Sequence, residues 1–143
     1  MKAVRTLFAM VLLLGAVSVY SQAANVAFLR VSIPFNFTVD NQQLPAGDYT
    51  VSESELNPQS VIWLQSVDGQ HVAVVHTHQT FMVTPSANAE LVFQHSGSEY
   101  FLSQIWTLGQ TSGRELVLRE RAKEMSKNSS PGDDAVALAG ASF

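Results

Sequence analysis

The chain has 143 residues, of which 46% are hydrophobic and 14% are charged, and it contains no cysteine. This length predicts one domain. The lack of cysteine excludes disulfide frameworks, thiolate metal sites, cysteine nucleophiles and lipid anchors on cysteine. Twelve acidic residues outnumber eight basic ones, and no basic stripe interleaved with aromatic residues occurs. Nucleic-acid binding is therefore not expected.

Residues 1–23 have the three parts of a secretory signal peptide. Lys2 and Arg5 form a basic start, Leu7–Val19 is apolar, and Ser21-Gln22-Ala23 places small residues three and one before a cleavage point. The apolar run is shorter than the roughly 20 residues of a membrane-spanning helix. We therefore expect cleavage after Ala23, a secreted or periplasmic location, and a mature chain that is not an integral membrane protein.

Alternating apolar and polar residues characterise the next segment. From Val31 to Val39, apolar residues occupy every second position, which predicts a strand with one buried face. Pro34 cannot donate a ladder hydrogen bond, so this strand is expected at a sheet edge or with a bulge. The segment Leu44–Val51 contains Pro45 and Gly47 and predicts a turn that leads into a second strand.

Two hairpins are predicted after these strands. Val61–Ser66 and His71–Thr77 flank a turn with Asp68-Gly69, which is a strong short-range hairpin signal. Leu91–His95 and Tyr100–Trp106 flank a second turn. Six to seven short strands without an intervening helical period favour an all-β fold, an antiparallel β-sandwich or small barrel.

The β domain is expected to span residues 24–113. Charges spaced four apart in residues 114–127 predict a short C-terminal helix, whereas the alternation of Leu116 and Leu118 leaves a final strand open. Residues 128–134 are polar or turn-forming and are followed by alanine-rich small residues, so residues 128–143 are predicted to be a disordered tail. The following side chains are expected in the core: Ile33, Phe35, Phe37, Tyr49, Val51, Trp63, Val72, Val74, Phe93, Phe101 and Ile105.

Two histidines offer the clearest candidate chemistry. His76 and His78 are two residues apart, so on a strand they project from one face, and paired imidazoles suit Zn²⁺, Cu²⁺ or Ni²⁺. A metal site needs further ligands, and the sequence does not show which strand would supply them. Surface histidines without a ligand role are the alternative.

Several sequence blocks resemble a family of small, signal-bearing bacterial secreted proteins. These blocks are Ile33–Phe37, Leu44–Val51, Leu91–Phe93, Tyr100–Trp106 and Gly113–Leu116. The resemblance implies an exported β protein and brings no activity with it. The Leu-Pro-Ala-Gly-x-Tyr part of the second block is also similar to the turn and strand of transthyretin-like and collagen-adhesin B-type modules, which implies a β-sandwich.

Together these observations predict an exported β module of the cell envelope with a binding or structural role. Its expected partner is an envelope protein or a glycan, and neither a cofactor nor a catalytic residue is expected. The alternative is a metal-binding protein or enzyme that uses the face of His76 and His78.

Overall fold

The computed structural model describes residues 25–58, 60–117 and 135–143. The secondary structure in these ranges is entirely β, as expected, and none of their residues form a helix that could cross a membrane. The described strands are β1 Val26–Ile33, β2 Phe37–Val39, β3 Gln42–Leu44, β4 Gly47–Glu53, β5 Val61–Ser66, β6 Val72–Phe81, β7 Ala89–Ser96, β8 Glu99–Trp106, β9 Ser112–Leu116 and β10 Ala135–Ser142.

Eight of these strands close into an antiparallel barrel. Their order is β8-β7-β10-β1-β4-β5-β6-β9, and β9 pairs back onto β8. Closure leaves no open sheet edge along this ring, which removes a template for unwanted strand pairing. The barrel alternative of the predicted fold is therefore confirmed, and the strand number exceeds the six to seven expected.

Strand β9 is short and fills only part of the space between β8 and β6. The hairpin of β2 and β3 covers the rest of this space. Strand β9 pairs with β6 over Thr77–Phe81 and with β8 over Gln104–Trp106. Beyond β9, Thr38 of β2 lies beside Phe101 of β8. On the other side of the hairpin, the Gln42 side-chain amide donates to the Val72 carbonyl at 3.1 Å.

The barrel interior is filled by apolar side chains. An eight-stranded barrel has an interior just wide enough for inward-facing side chains or one small ligand. Phe37 is central to the packing, with ring contacts to Tyr49 at 5.2 Å and to Phe93 at 5.4 Å between centroids. The largest fully buried side chains are Tyr49, Phe37, Phe93, Leu29, Ile33, Leu44, Ile62, Leu64, Leu91, Leu102, Ile105 and Val39.

Pro34 interrupts the single strand predicted from Val31 to Val39. Strand β1 ends at Ile33 and β2 begins at Phe37, because proline removes a ladder donor at the intervening bend. The Asn36 side chain holds this bend by accepting a hydrogen bond from the Ala46 backbone amide at 3.0 Å. Two of the blocks behind the family resemblance thus contact each other.

The C-terminal predictions need correction. Residues 112–116 form β9, so the start of the predicted helix is a strand, and residues 135–142 form β10 where a disordered tail was expected. Alanine-rich β10 has few residues that favour strands, and it is held by pairing with β7 and β1 on either side. The predicted signal peptide, residues 1–23, and residues 118–134 lie outside the described residues.

Four residues predicted in the core, Val72, Val74, Trp63 and Phe101, lie on outward faces, since Trp63 pairs with Val74 and Phe101 pairs with Gln94 beside inward-facing Leu102. Val72 and Val74 are exposed, whereas Ala73 and Val75 of the same strand are buried. Residues 72–75 are all apolar, so this stretch has no alternation that could reveal its inward face. Trp63 and Phe101 are half-buried on the outer face, Phe35 is half-buried at the bend, and the other expected core residues are buried.

Candidate functional site

The two ends of the barrel differ in chemistry. We call one end the mouth: β4, β6, β8 and β10 finish there, and β1, β5, β7 and β9 begin there. The interior contains a cavity of about 220 Å³ near this end. Its lining residues come from opposite walls of the barrel: Phe28, Glu53, Gln79, Ile105, Thr107, Gln110, Ser112, Gly113 and Arg114.

Arg114 is the main charged group of this mouth cavity. Arg114 lies two residues before buried Leu116 on β9. Residues two apart on a strand point to the same side, so Arg114 faces inward. Its Nη2 atom lies 3.2 Å from Glu53 Oε1 and donates to the Pro58 carbonyl at 3.1 Å. The Arg114 side chain is only 15% exposed and that of Glu53 is 36% exposed. The cavity therefore contains an ion pair that is partly removed from water.

Backbone hydrogen bonds fix the loop that carries Gln110. The Met82 amide donates to the Thr111 carbonyl, and the Ser86 amide donates to the Gln110 carbonyl, both at 2.9 Å. The Gly109 amide returns a bond of 2.9 Å to the Ser86 carbonyl. These bonds join the loops after β6 and β8, so this wall of the cavity is held in place without a ligand.

Exposed apolar side chains surround the mouth. They lie on the first residue of β1, the last residue of β6, the loops after β4, β6 and β8, and the residue after β10. We call this set the apolar rim; its members are Val26, Leu56, Phe81, Val83, Leu108 and Phe143.

The opposite end of the barrel is organised by the predicted Asp68-Gly69 turn. Gly69 adopts the left-handed conformation with φ of 74°, as this turn chemistry requires. The Asp68 carboxylate accepts hydrogen bonds from Ser66 Oγ at 2.5 Å and from the Gln70 amide at 3.0 Å. These bonds lower the pKa of Asp68. Burial, followed by the nearby Asp68 charge, raises the pKa of Tyr49.

A groove of about 290 Å³ lies between this turn and the start of β4. Tyr49 lines it, and its hydroxyl donates to the Pro45 carbonyl at 2.7 Å. Ser66 also lines the groove and already bonds to Asp68 and to the His71 backbone. Because these polar groups already hydrogen-bond to each other and to the backbone, the groove is a weaker candidate for ligand binding than the mouth cavity.

The two predicted metal ligands lie on the outer face of β6. His76 and His78 are both exposed, and His78 Nε2 is 3.6 Å from Glu115 Oε2 on the neighbouring strand. Among the described residues, no group of three or more histidines and carboxylates is placed to hold a metal ion. The structure thus places one carboxylate beside His78, and metal binding by His76 and His78 stays a prediction.

Sequence reasoning missed the mouth cavity because its residues come from five strands and the loop between β8 and β9. One signal was available: if Ser112–Leu116 is read as a strand, Arg114 falls on the same face as Leu116. An arginine on a buried face is unusual and indicates a specific partner. Comparisons with protein-family models, curated proteins and solved structures find no match.

Proposed function

We propose that this protein is an exported, non-catalytic binding module of the cell envelope that holds a hydroxyl-rich ligand, such as the end of a glycan, in the mouth cavity. The observation that carries the proposal is the cavity at one end of the barrel, which holds the Arg114–Glu53 ion pair among polar lining residues. The proposed location in the cell envelope is supported by the resemblance to bacterial secreted β proteins.

Stability alone gives no reason for this ion pair. Removing charges from water is costly, and apolar residues of similar volume commonly replace such pairs without loss of stability. The rest of the interior shows that this chain can fill the barrel with apolar side chains. A charged pair together with two cavity amides at the mouth is therefore better explained by a ligand that these groups recognise.

The chemistry of the lining favours sugar hydroxyls. Gln79 and Gln110 each offer an amide donor and acceptor, Glu53 offers a carboxylate acceptor and Arg114 offers guanidinium donors. A sugar ring presents adjacent hydroxyls that both donate and accept, and the Phe28 ring provides an apolar surface for its C–H groups. A cavity of about 220 Å³ is smaller than typical sites for drug-sized ligands, so it suits one ring and not a long chain.

The proposal is tested by calorimetric titration with glucose and with glucuronate, which adds a carboxylate to the same ring. We expect both sugars to bind, and glucuronate to bind more tightly because Arg114 can pair with its carboxylate. Replacing both cavity amides, Gln79→Ala with Gln110→Ala, should weaken binding about tenfold or more.

The matched control is Gln65→Ala, an exposed glutamine on β5 that does not line the cavity. It should leave the affinity for both sugars unchanged. The cavity amides are themselves exposed, so their replacement should not unfold the barrel. If neither sugar binds, or if the double variant binds as well as the parent protein, the proposal is wrong.

A further inference from the structure

We propose that the apolar rim is a docking surface for a lipid bilayer, so that the exported barrel attaches to a membrane surface with its mouth facing the lipid. This inference does not depend on which ligand the cavity binds. It rests on where the exposed apolar side chains lie, which charges accompany them, and where the chain enters the barrel.

The distribution of exposed apolar residues is strongly one-sided. Of the ten large hydrophobic side chains that are exposed in the described residues, six belong to the rim. Val83 is 98% exposed, Leu56 is 88% exposed and Phe143 is 76% exposed. A concentration of exposed apolar groups at one place marks an interaction site, whereas isolated ones are ordinary.

The arrangement of the rim fits a fluid apolar layer. Its members sit at strand ends and on three separate loops around a polar opening. A protein partner would have to match these separate projections, whereas lipid chains accommodate them without a defined shape. The aromatic rings of Phe81 and Phe143, with neighbouring aliphatic groups, are typical of surfaces that insert shallowly into the boundary between headgroups and acyl chains.

The charges at the mouth favour a lipid surface with no net charge. In the described part of the chain, Arg114 is the only lysine or arginine at this end, and it pairs with Glu53. Glu55 lies in the loop after β4, and Glu90 lies near the start of β7. These carboxylates would repel anionic headgroups. The expected surface is therefore zwitterionic, and attachment should depend little on salt.

The apolar leader segment joins the barrel at this same end. Strand β1 begins at the mouth with Val26, and the apolar segment Leu7–Val19 precedes it in the sequence. The residues between Val19 and Asn25 can span at most about 20 Å. A leader held in the membrane before the predicted cleavage would place the rim close to the lipid surface.

The test is vesicle flotation of residues 24–143, which contain all ten described strands, with phosphatidylcholine vesicles at low and high salt. The rim variant combines Phe81→Ser, Val83→Ser and Leu108→Ser. The control variant combines Val67→Ser, Val72→Ser and Val74→Ser, three exposed valines away from the mouth. All proteins are first shown by urea denaturation to be folded.

We expect the parent and control proteins to float with vesicles at both salt levels and the rim variant to lose binding about tenfold or more. Failure of the parent protein to bind, or equal binding by the rim variant, overturns the proposal. Binding that disappears at high salt would assign attachment to charged groups instead. A dimer in sedimentation that only the rim variant loses would assign the rim to a second copy of the chain.

Discussion

Phe37 and Phe35 lie two residues apart, yet they differ in burial. Phe37 is 1% exposed and contacts Tyr49 and Phe93 edge-on, whereas Phe35 is half-buried and stacks on Tyr100 with centroids 3.8 Å apart. We predict that Phe37→Ala lowers the free energy of unfolding by roughly 3 to 5 kcal/mol. Phe35→Ala should cost about half as much, because water already reaches part of its ring.

Urea denaturation of both variants checks this order. A larger loss for Phe35→Ala would show that the ring at the bend, and not Phe37, anchors the chain to the core. The structure thus changes the expectation from sequence, in which both rings belong to one continuous inward face.

Asp68 gives the hairpin turn a pH dependence of defined sign. Hydrogen bonds from Ser66 Oγ and the Gln70 amide lower the pKa of Asp68 in the folded protein, so folding favours the carboxylate. Its stabilising effect is fully present above the unfolded-state pKa of about 4 and is lost as pH falls through the lower folded pKa. We predict that Asp68→Asn is less stable than the parent protein at neutral pH.

Thermal unfolding at a series of pH values measures this difference. The gap between Asp68→Asn and the parent protein should narrow as pH falls below about 4. Glu99→Gln at the other hairpin turn is the control. A gap that stays constant at acidic pH would mean that the Asp68 charge has no part in the turn.

Strand β10 depends on a close approach to β1. A Cβ atom added at Gly140 would lie 2.5 Å from Leu29 Cδ1 and would also collide with the Arg30 carbonyl oxygen. We predict that Gly140→Ala lowers the free energy of unfolding by about 1 to 3 kcal/mol, because β10 must move away from β1.

The exposed neighbour on the same strand provides the comparison for Gly140. Ala139→Ser adds a hydroxyl where the side chain faces solvent, so its denaturation midpoint should match that of the parent protein. If Gly140→Ala and Ala139→Ser are equally stable, β10 does not lie against β1 as described.

The strands that sequence reasoning identified are those with a local signal. The two hairpins are found because Asp68-Gly69 and Gly97 mark their turns and apolar residues fill the flanking strands. Strand β10 has alanine at every second position, and such small residues carry little strand preference. It is a strand because β1 and β7 pair with it, and pairing between distant segments has no local signature.

The inward face of a strand was predictable only where the pattern alternates. Along β1, Val31 and Ile33 alternate with polar residues and are buried as expected. In β5 and β6 both faces carry apolar residues, so Trp63 and Val74 were placed inside although Leu64 and Val75 occupy the core. The sequence offered one signal for the mouth cavity, Arg114 on the face of buried Leu116, but only closure of the barrel brings Glu53 to Arg114.

The whole molecule is asymmetric along the barrel axis. Apolar packing and the β2–β3 hairpin occupy one part of the barrel, whereas the mouth combines a polar cavity with an apolar rim. Both proposals use this asymmetry: the cavity supplies hydrogen-bonding groups for a ligand, and the rim supplies a surface for lipid. A barrel docked in this way would hold its cavity at the level of the lipid headgroups, where a glycan carried on a lipid can reach it.

The ligand site is tested most directly by titrating ¹⁵N-labelled protein with glucuronate and following backbone amide signals by NMR. We predict that the shifted signals belong to Gln79, Gln110 and Ser112–Arg114, which line the mouth cavity, and that those of Ser66–His71 at the opposite end do not move. Shifts confined to the Ser66–His71 turn, or no shifts at any concentration, would contradict the assignment of the mouth cavity as the binding site.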